Sequence, residues 1–239
     1  MTVPFQRRVV ITGLGAISNL GTDVDSTWDG LREGRSGIRS ITAFEQDERW
    51  NTTIAGEVQN WDPSEKLDRG EIKKTDRVAQ LGIWAAVEAM ENSGLDWEQC
   101  DPYRNGVVIG SGVGGIQTIE ASSLLLADRG PKRLSPFTVP KLMVNACAGN
   151  VSIRFNLRGV NSAPATACAT GGHALAEAYM FIATNQADFI LAGGTEGAVS
   201  PVCLSSFMAM KALSTRNESP TEASRPFDRD RDGFVLSEG

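Results

Sequence analysis

The stretch Thr166-Ala167-Cys168-Ala169-Thr170-Gly171-Gly172 constrains the fold of this chain more than any other. Upstream of it, residues 160–167 lack charge, as a buried strand does. Downstream, residues 169–185 are rich in Ala, Leu, Tyr, Met and Phe, as a packed helix is. Asp188-Phe189-Ile190-Leu191-Ala192 then reads as a second strand. The order strand, cysteine, helix, strand is a βαβ unit with its cysteine at the turn. A sulfur at a helix N-terminus faces unpaired N–H groups and the positive end of the helix dipole, and both favour the thiolate. A thiolate so placed is a candidate acyl acceptor. Ala167 and Ala169 leave room for a substrate, and Gly171 and Gly172 let backbone pack closely. The pattern alone leaves an inert core cysteine equally open, because cysteine is among the most buried residue types.

The rest of the chain bounds the function. Its 239 residues suit one large α/β domain or two small ones. A net charge of −6 argues against nucleic acid as a partner. Cys100, Cys147, Cys168 and Cys203 are widely spaced, with neither a CxxC nor a metal-ligand spacing. Reduced cytoplasmic thiols fit that better than a disulfide framework, and no metal is expected. Arg7 and Arg8 precede an apolar run that stops at Gly13, which is not a secretory signal. No segment is long enough to span a membrane, so membrane insertion is not expected.

In chain order, residues 8–12 read as a strand and Gly13-Leu14-Gly15 as a turn. Residues 26–33 read as a short helix with Asp23 or Asp25 as its cap. Residues 35–69 look irregular and polar, anchored by Trp50 and Trp61. A helix follows over 76–93, with Val78, Leu81, Ile83, Trp84, Val87 and Met90 on its apolar face and Gly94 as its stop. Residues 106–109 are a strand, 116–127 a helix, 129–140 a proline-broken loop and 141–155 a helix weakened by Gly149. After the cysteine unit come a helix over 202–213, a polar loop over 214–231 and a strand beginning at 233–236. The alternation predicts an α/β fold with a mainly parallel sheet covered on both faces.

Three features imitate other functions. Gly110, Gly112 and Gly115 satisfy GxGxxG between a strand and a helix. No second strand follows to carry the ribose-binding acid, so the glycines read better as close packing beside a reaction site. Asp228, Asp230, Asp232 and Gly233 match the start of an EF-hand loop. The bidentate glutamate's position is Gly239, however, and Arg229 and Arg231 cancel the charge. His173, the sole histidine, lies five residues past Cys168. On a helix that places it about 140° around and ~7.5 Å along, pointing away from the sulfur. It reads as a structural or surface residue. Cys147 and Cys203 read as core, and Cys100 as part of a surface turn.

Several motifs, in order, resemble those of the 3-oxoacyl-[acyl-carrier-protein] synthases, most closely type II, the condensing enzymes of fatty-acid synthesis. They are Arg7-Arg8-Val9-Val10-Ile11-Thr12-Gly13-Leu14-Gly15, Gly110-Ser111-Gly112-Val113-Gly114-Gly115, Arg133-Leu134-Ser135-Pro136-Phe137 and the Cys168 motif. Ala192-Gly193-Gly194, Ala212-Leu213-Ser214-Thr215-Arg216-Asn217 and Ala223-Ser224-Arg225-Pro226-Phe227-Asp228 continue the match. The resemblance implies a thiolase-like fold of two similar βα halves, usually homodimeric. Residues 1–239 would be the N-terminal half and the start of the second.

The same resemblance implies Cys168 as the nucleophile, with its own N–H in the oxyanion hole. It implies Val113 and Phe207 as shapers of an acyl pocket, and Phe137 and Thr138 as a loop near that pocket and the dimer partner. Lys73 and Lys74 would receive the acidic acyl carrier protein, although by residue type alone they read as a solvated helix end. The implied reaction moves an acyl group from a carrier thioester to Cys168 and then condenses it with decarboxylating malonyl-carrier, without metal or redox cofactor. Relatives run well past this stretch and carry further histidines, a lysine and a second oxyanion donor there, so this stretch alone is expected to be inactive in condensation. A type II polyketide ketosynthase remains open as an alternative. A cysteine hydrolase or thiolase lacks a nearby base here, and a non-catalytic partner subunit would lack the cysteine.

Overall fold

The computed structural model describes residues 7–97 and 99–239. Its elements run α1 (Val24–Arg32), β1 (Arg39–Ser40), β2 (Ile54–Ala55), α2 (Arg69–Lys74), α3 (Arg77–Asn92), β3 (Asn105–Gly110), α4 (Ile116–Arg129) and α5 (Thr138–Leu142). They continue through α6 (Ala146–Phe155), β4 (Asn161–Ser162), α7 (Thr170–Ala183), β5 (Phe189–Gly194) and α8 (Pro201–Ala209). The principal sheet is parallel, in the order β4-β3-β5, with Asn105 opposite Phe189 and Gly110 opposite Gly194.

Strand β3 is buried along its whole length. Side chains alternate across a strand, so its two faces feed two cores. Val107 and Ile109 join Leu81, Ile83 and Val87 of α3 and Val151 and Phe155 of α6. Val108 points the other way, into a small cluster with Ala174 and Ala178 of α7. Covered parallel strands with helices on both faces are the arrangement the alternation predicts. Helix α3 starts where expected. Asp76 caps it by accepting from Val78 N–H at 3.2 Å, and the same carboxylate accepts from Thr118 N–H at 2.8 Å, tying α3 to α4. Past the helix, Gly94 adopts φ +63°. Asp23 caps α1, accepting from Ser26 N–H at 2.7 Å.

Trp50 and Trp61 do anchor the polar stretch. Trp50 lies 5.3 Å from Phe44 between ring centroids, and Trp61 meets Trp84 edge-on at 5.8 Å. That stretch is not wholly irregular: β1 and β2 form a short antiparallel pair within it. Directly after it, an Asp68/Glu71 capping box starts α2, a helix that the proposed boundary at residue 69 obscured.

Six other readings differ from expectation. Residues 8–12 form no strand, and Val10 and Ile11 are 57% and 78% exposed. No backbone ladder holds them. The segment is fixed at its ends instead, where Arg7 donates to the Ala187 carbonyl at 3.0 Å and Leu14 N–H donates to Asn92 at 3.0 Å. Gly13 and Gly15 are packing glycines rather than a turn, because a Cβ at either would collide with a backbone carbonyl of α3.

The helix expected over 141–155 is broken at residues 143–145. The Leu142 carbonyl accepts from Gly115 N–H at 3.2 Å, and the break follows at once, with Met143 extended. Helix α8 stops at Ala209 rather than residue 213, and Lys211 turns the chain with φ +56°. Residues 233–236 form no strand. Phe234 bridges to Leu213 and Ser237 to Gly56, so no two successive residues share one partner. The strand expected over 160–167 is reduced to β4, since Pro164 brings no N–H to a ladder.

At the start of β5, Asp188 receives hydrogen bonds from Arg104 and, at 2.8 Å, from Arg7. The Arg104 bond contributes most to holding its carboxyl down at about 2, with Arg7 next. A carboxyl depressed in the folded state stabilises fully above its unfolded value near ~3.9, and that contribution fades as pH falls toward the folded value. Asp188→Asn should therefore flatten the acid limb of a stability-versus-pH curve below about pH 4. At neutral pH the loss should stay within about 1 kcal/mol, since the pair is partly exposed. Urea melts from pH 2 to 7 check this.

Candidate active site

Cys168 lies in the 3-10 turn Ala167–Ala169, immediately ahead of α7. Ala167 takes φ +51°, a left-handed conformation that costs a non-glycine residue about 1–3 kcal/mol unless its surroundings impose it. The surroundings are visible. Thr170 Oγ1 donates to the Ala167 carbonyl at 2.7 Å and accepts from Thr166 N–H at 2.9 Å. These bonds staple the strained turn to the first residue of α7 and leave Cys168 exposed. The other cysteines differ. Burial pushes the Cys147 thiol up to about 12, and burial also raises Cys203. Cys100 is partly exposed, its N–H donating to the Trp97 carbonyl at 3.3 Å in a surface turn.

The glycine-rich loop after β3 lies beside this turn. A Cβ built on Gly112 would sit 3.2 Å from the Ala167 Cα and 3.1 Å from a carboxylate oxygen of Glu196, so only glycine threads between them comfortably. The amides of Gly112 and Val113 both donate to Glu196 Oε2 at 3.0 Å. Two of the donors that a dinucleotide phosphate would need are thus taken by a carboxylate of the chain itself. Burial raises the Glu196 carboxyl above the ordinary range, while hydrogen bonds from Ser111, Val113, Gly197 and Gly112 act to lower it. Sequence reasoning did not single out Glu196. The signal available was a lone carboxylate between glycines just after a strand.

The expected residues fall into separate groups. Val113, 37% exposed, follows Gly112 beside the cysteine turn. Lys73 and Lys74 are exposed in the last turn of α2. The Lys74 ammonium stands 5.9 Å above the Phe137 ring, which brings the basic pair to the start of α5. Thr138 opens α5, its hydroxyl 3.4 Å from that of Ser122. Phe207 belongs to a different cluster. It packs with the Val199 and Leu204 core and meets Phe234 edge-on at 5.2 Å.

The other two imitations resolve as ordinary structure. His173 engages Thr166 Oγ1 through Nδ1 at 3.2 Å and Glu177 through Nε2 at 3.2 Å, so both ring nitrogens have partners of their own. Asp232 accepts from Ser214 Oγ at 2.8 Å and Thr215 N–H at 3.0 Å, and Asp228 pairs with Arg225 at 2.8 Å. No helix among the described residues is long and apolar enough to cross a membrane.

Comparison with known proteins adds to this geometry. The N-terminal domain of beta-ketoacyl synthases matches residues 6–239. The chain is 46% identical to 3-oxoacyl-[acyl-carrier-protein] synthase 2 of Coxiella burnetii over 234 residues, 98% of this chain and 56% of that protein. The protein of the same name from Vibrio cholerae is 45% identical over the same shares. Among solved structures, a beta-ketoacyl synthase from Burkholderia phymatum superposes with a TM-score of 0.85 at 30% identity, over 96% of this chain and 56% of its own. A type II polyketide ketosynthase, bound to its acyl-carrier protein, superposes with 0.86 at 28% identity, over 97% and 56%. The chain thus spans about half the length of the relatives it matches.

Proposed function

The chain belongs to the beta-ketoacyl synthase family, and on that premise we propose that Cys168 accepts an acyl group from an acyl-carrier-protein thioester, as the first step of a decarboxylative condensation. The fold is the thiolase-like one of the family's ketosynthases. The observation that carries the proposal is the position of Cys168: exposed, at a strained turn opening a helix, while Cys147 and Cys203 are buried.

In the first step the sulfur attacks the thioester carbonyl, and the carrier's thiolate leaves. The N–H of Cys168 itself would supply one of the two donors for the developing oxyanion. In the second, malonyl-carrier loses carbon dioxide and its carbanion attacks the acyl-cysteine. The 3-oxoacyl product leaves on the carrier, and the Cys168 thiolate is regenerated. The fatty-acid reading is favoured over the polyketide one by identity, 46% to a named 3-oxoacyl synthase against 28% to the polyketide enzyme.

Residues 1–239 serve here as the N-terminal half of the synthase domain, in a cytoplasmic homodimer. The full condensation draws on groups in the remaining length of the relatives. This chain alone is expected to take up acyl groups without condensing them. Incubation with acyl-carrier protein, followed by intact mass and peptide mapping, tests the proposal. An acyl adduct on Cys168 supports it, and its absence at all chain lengths sinks it.

Two residue groups refine the reading. Lys73 and Lys74 are exposed and would meet the acidic carrier. Reversing both charges should raise the apparent KM for carrier-bound substrate about tenfold at low salt, and less as salt screens the patch. A small acyl thioester without the carrier should be unaffected; equal loss of both substrates would make the pair structural. Val113 borders the turn and is partly open to solvent. Val113→Phe should shorten the longest acyl chain accepted without lowering the melting temperature. An ordinary core position would instead lose about 1–3 kcal/mol on overpacking and all chain lengths together.

A further inference from the structure

We propose that Glu196 is a positioning residue: it holds the loop of residues 111–113 against the Cys168 turn and so sets which acyl tails reach the sulfur. Its own place is fixed first. Thr195, just before it, donates its N–H to the Gly110 carbonyl at 3.0 Å and its hydroxyl to the Val78 carbonyl at 2.8 Å. Glu196 N–H donates to the Gly239 carbonyl at 2.8 Å. The carboxylate therefore projects from a segment tied to β3, to α3 and to the far end of the chain.

From that anchor it gathers the loop. Oε2 accepts from Gly112 and Val113 N–H, both at 3.0 Å. Oε1 accepts from Ser111 Oγ at 3.1 Å and from Gly197 N–H at 3.3 Å. Ser111 Oγ in turn accepts from Gly114 N–H at 2.9 Å. Every partner is a neutral donor, so the negative charge is met by converging N–H dipoles, as in anion-binding nests. Gly112 has no side chain with which to pack, and on its other side lies Ala167, next to Cys168. The backbone that carries the Val113 side chain is thus held by the carboxylate, through the N–H groups of Gly112 and Val113.

This inference rests on the reading of Cys168 as acyl acceptor, but it can be tested without catalysis. Alkylation of Cys168 by N-methyl and N-decyl iodoacetamide, mapped by mass spectrometry, measures access for short and long tails. Plain iodoacetamide measures access to the sulfur itself. Glu196→Ala should raise the long-to-short rate ratio about tenfold, the equivalent of one charge-assisted hydrogen bond to the loop. The plain iodoacetamide rate should change by less than about twofold, since the Cys168 turn is stapled separately by Thr170. Glu196→Gln keeps the shape and one acceptor but turns an NH2 toward N–H donors, so it should give a smaller rise in the same direction, with faster hydrogen exchange at Gly112 and Val113. It decides the matter if the alanine variant does not fold. An unchanged or lower ratio in the folded variants overturns the proposal. So does an equal change for all three reagents, which marks a purely structural residue. Failure of acyl-carrier protein to acylate the wild-type chain sinks the proposed function instead and leaves these alkylation ratios to judge Glu196.

Discussion

Cys168→Ala is expected to abolish acyl-enzyme formation, lowering acyl transfer by about 10⁴-fold or more, to background. The size follows from the chemistry. Removing the nucleophile removes the covalent step itself, and no other cysteine can substitute. Cys147 sits 3% exposed against Gly82 in the main core, and Cys203 is 8% exposed on the buried side of α8. A carrier thioester cannot approach either without opening that core. Cys100 is the accessible competitor, but it lies in a turn ahead of β3, whereas the glycine loop and Val113 follow the opposite end of that strand. Stability should hardly move, within about 0.5 kcal/mol, because the exposed side chain is not part of a packed cluster. The check is peptide mapping after incubation with acyl-carrier protein, alongside a thermal melt. An adduct that moves to Cys100, or one that persists at full yield, would place the chemistry elsewhere.

Much of this site was legible in the chain because its signals are local. An uncharged run, a cysteine between alanines, an apolar helix and a second strand lie within a few dozen residues, and each prescribes its own conformation. Helix α3 was legible for the same reason, with Asp76, an apolar stripe and Gly94 marking start, face and stop. What could not be read depends on distant partners. Glu196 becomes part of the site only through amides more than eighty residues earlier, and nothing in Gly194-Thr195-Glu196-Gly197 announces that. The break at residues 143–145 follows a carbonyl that accepts from Gly115. Residues 8–12 have strand composition, yet strand propensity is a preference for a pleated, half-buried surface, and here no neighbour supplies one. Positions such as Phe137, Phe207, Lys73 and Lys74 came from resemblance to a family. Their geometry links Lys74 to Phe137 and sets Phe207 in a separate cluster.

Gly110→Ala is expected to be the most damaging single-methyl change at the site. Gly110 ends β3 directly opposite Gly194, the end of β5. An added Cβ would collide with the Pro164 carbonyl oxygen and lie 2.5 Å from Thr170 Cγ2. Pro164 leads into the cysteine turn, and Thr170 is the residue whose hydroxyl staples it. On the neighbouring strand, a Cβ at Gly194 would stand 3.0 Å from the Gly171 backbone, so paired glycines let the first turn of α7 rest on the sheet. The Pro164 backbone cannot swing away as a flexible side chain would, and the Thr170 side chain is held by its own hydrogen bonds. Overpacking of this kind costs about 3 kcal/mol at the upper end of its usual range. For a chain of this size that is roughly 6–12 °C in melting temperature. Pushing α7 off the sheet also loosens the Thr170 bonds that impose the left-handed Ala167. Acyl transfer should therefore fall further than the lost stability explains at temperatures where the variant is folded. Gly149→Ala is the internal control. It makes the same substitution inside α6, where an added Cβ meets nothing within 4 Å, so it should stabilise by about 1 kcal/mol through helix propensity alone. The two variants must move the melting temperature in opposite directions. If Gly110→Ala melts no earlier than wild type and acylates Cys168 at the wild-type rate, the close approach of α7 to the sheet does not shape the nucleophile turn.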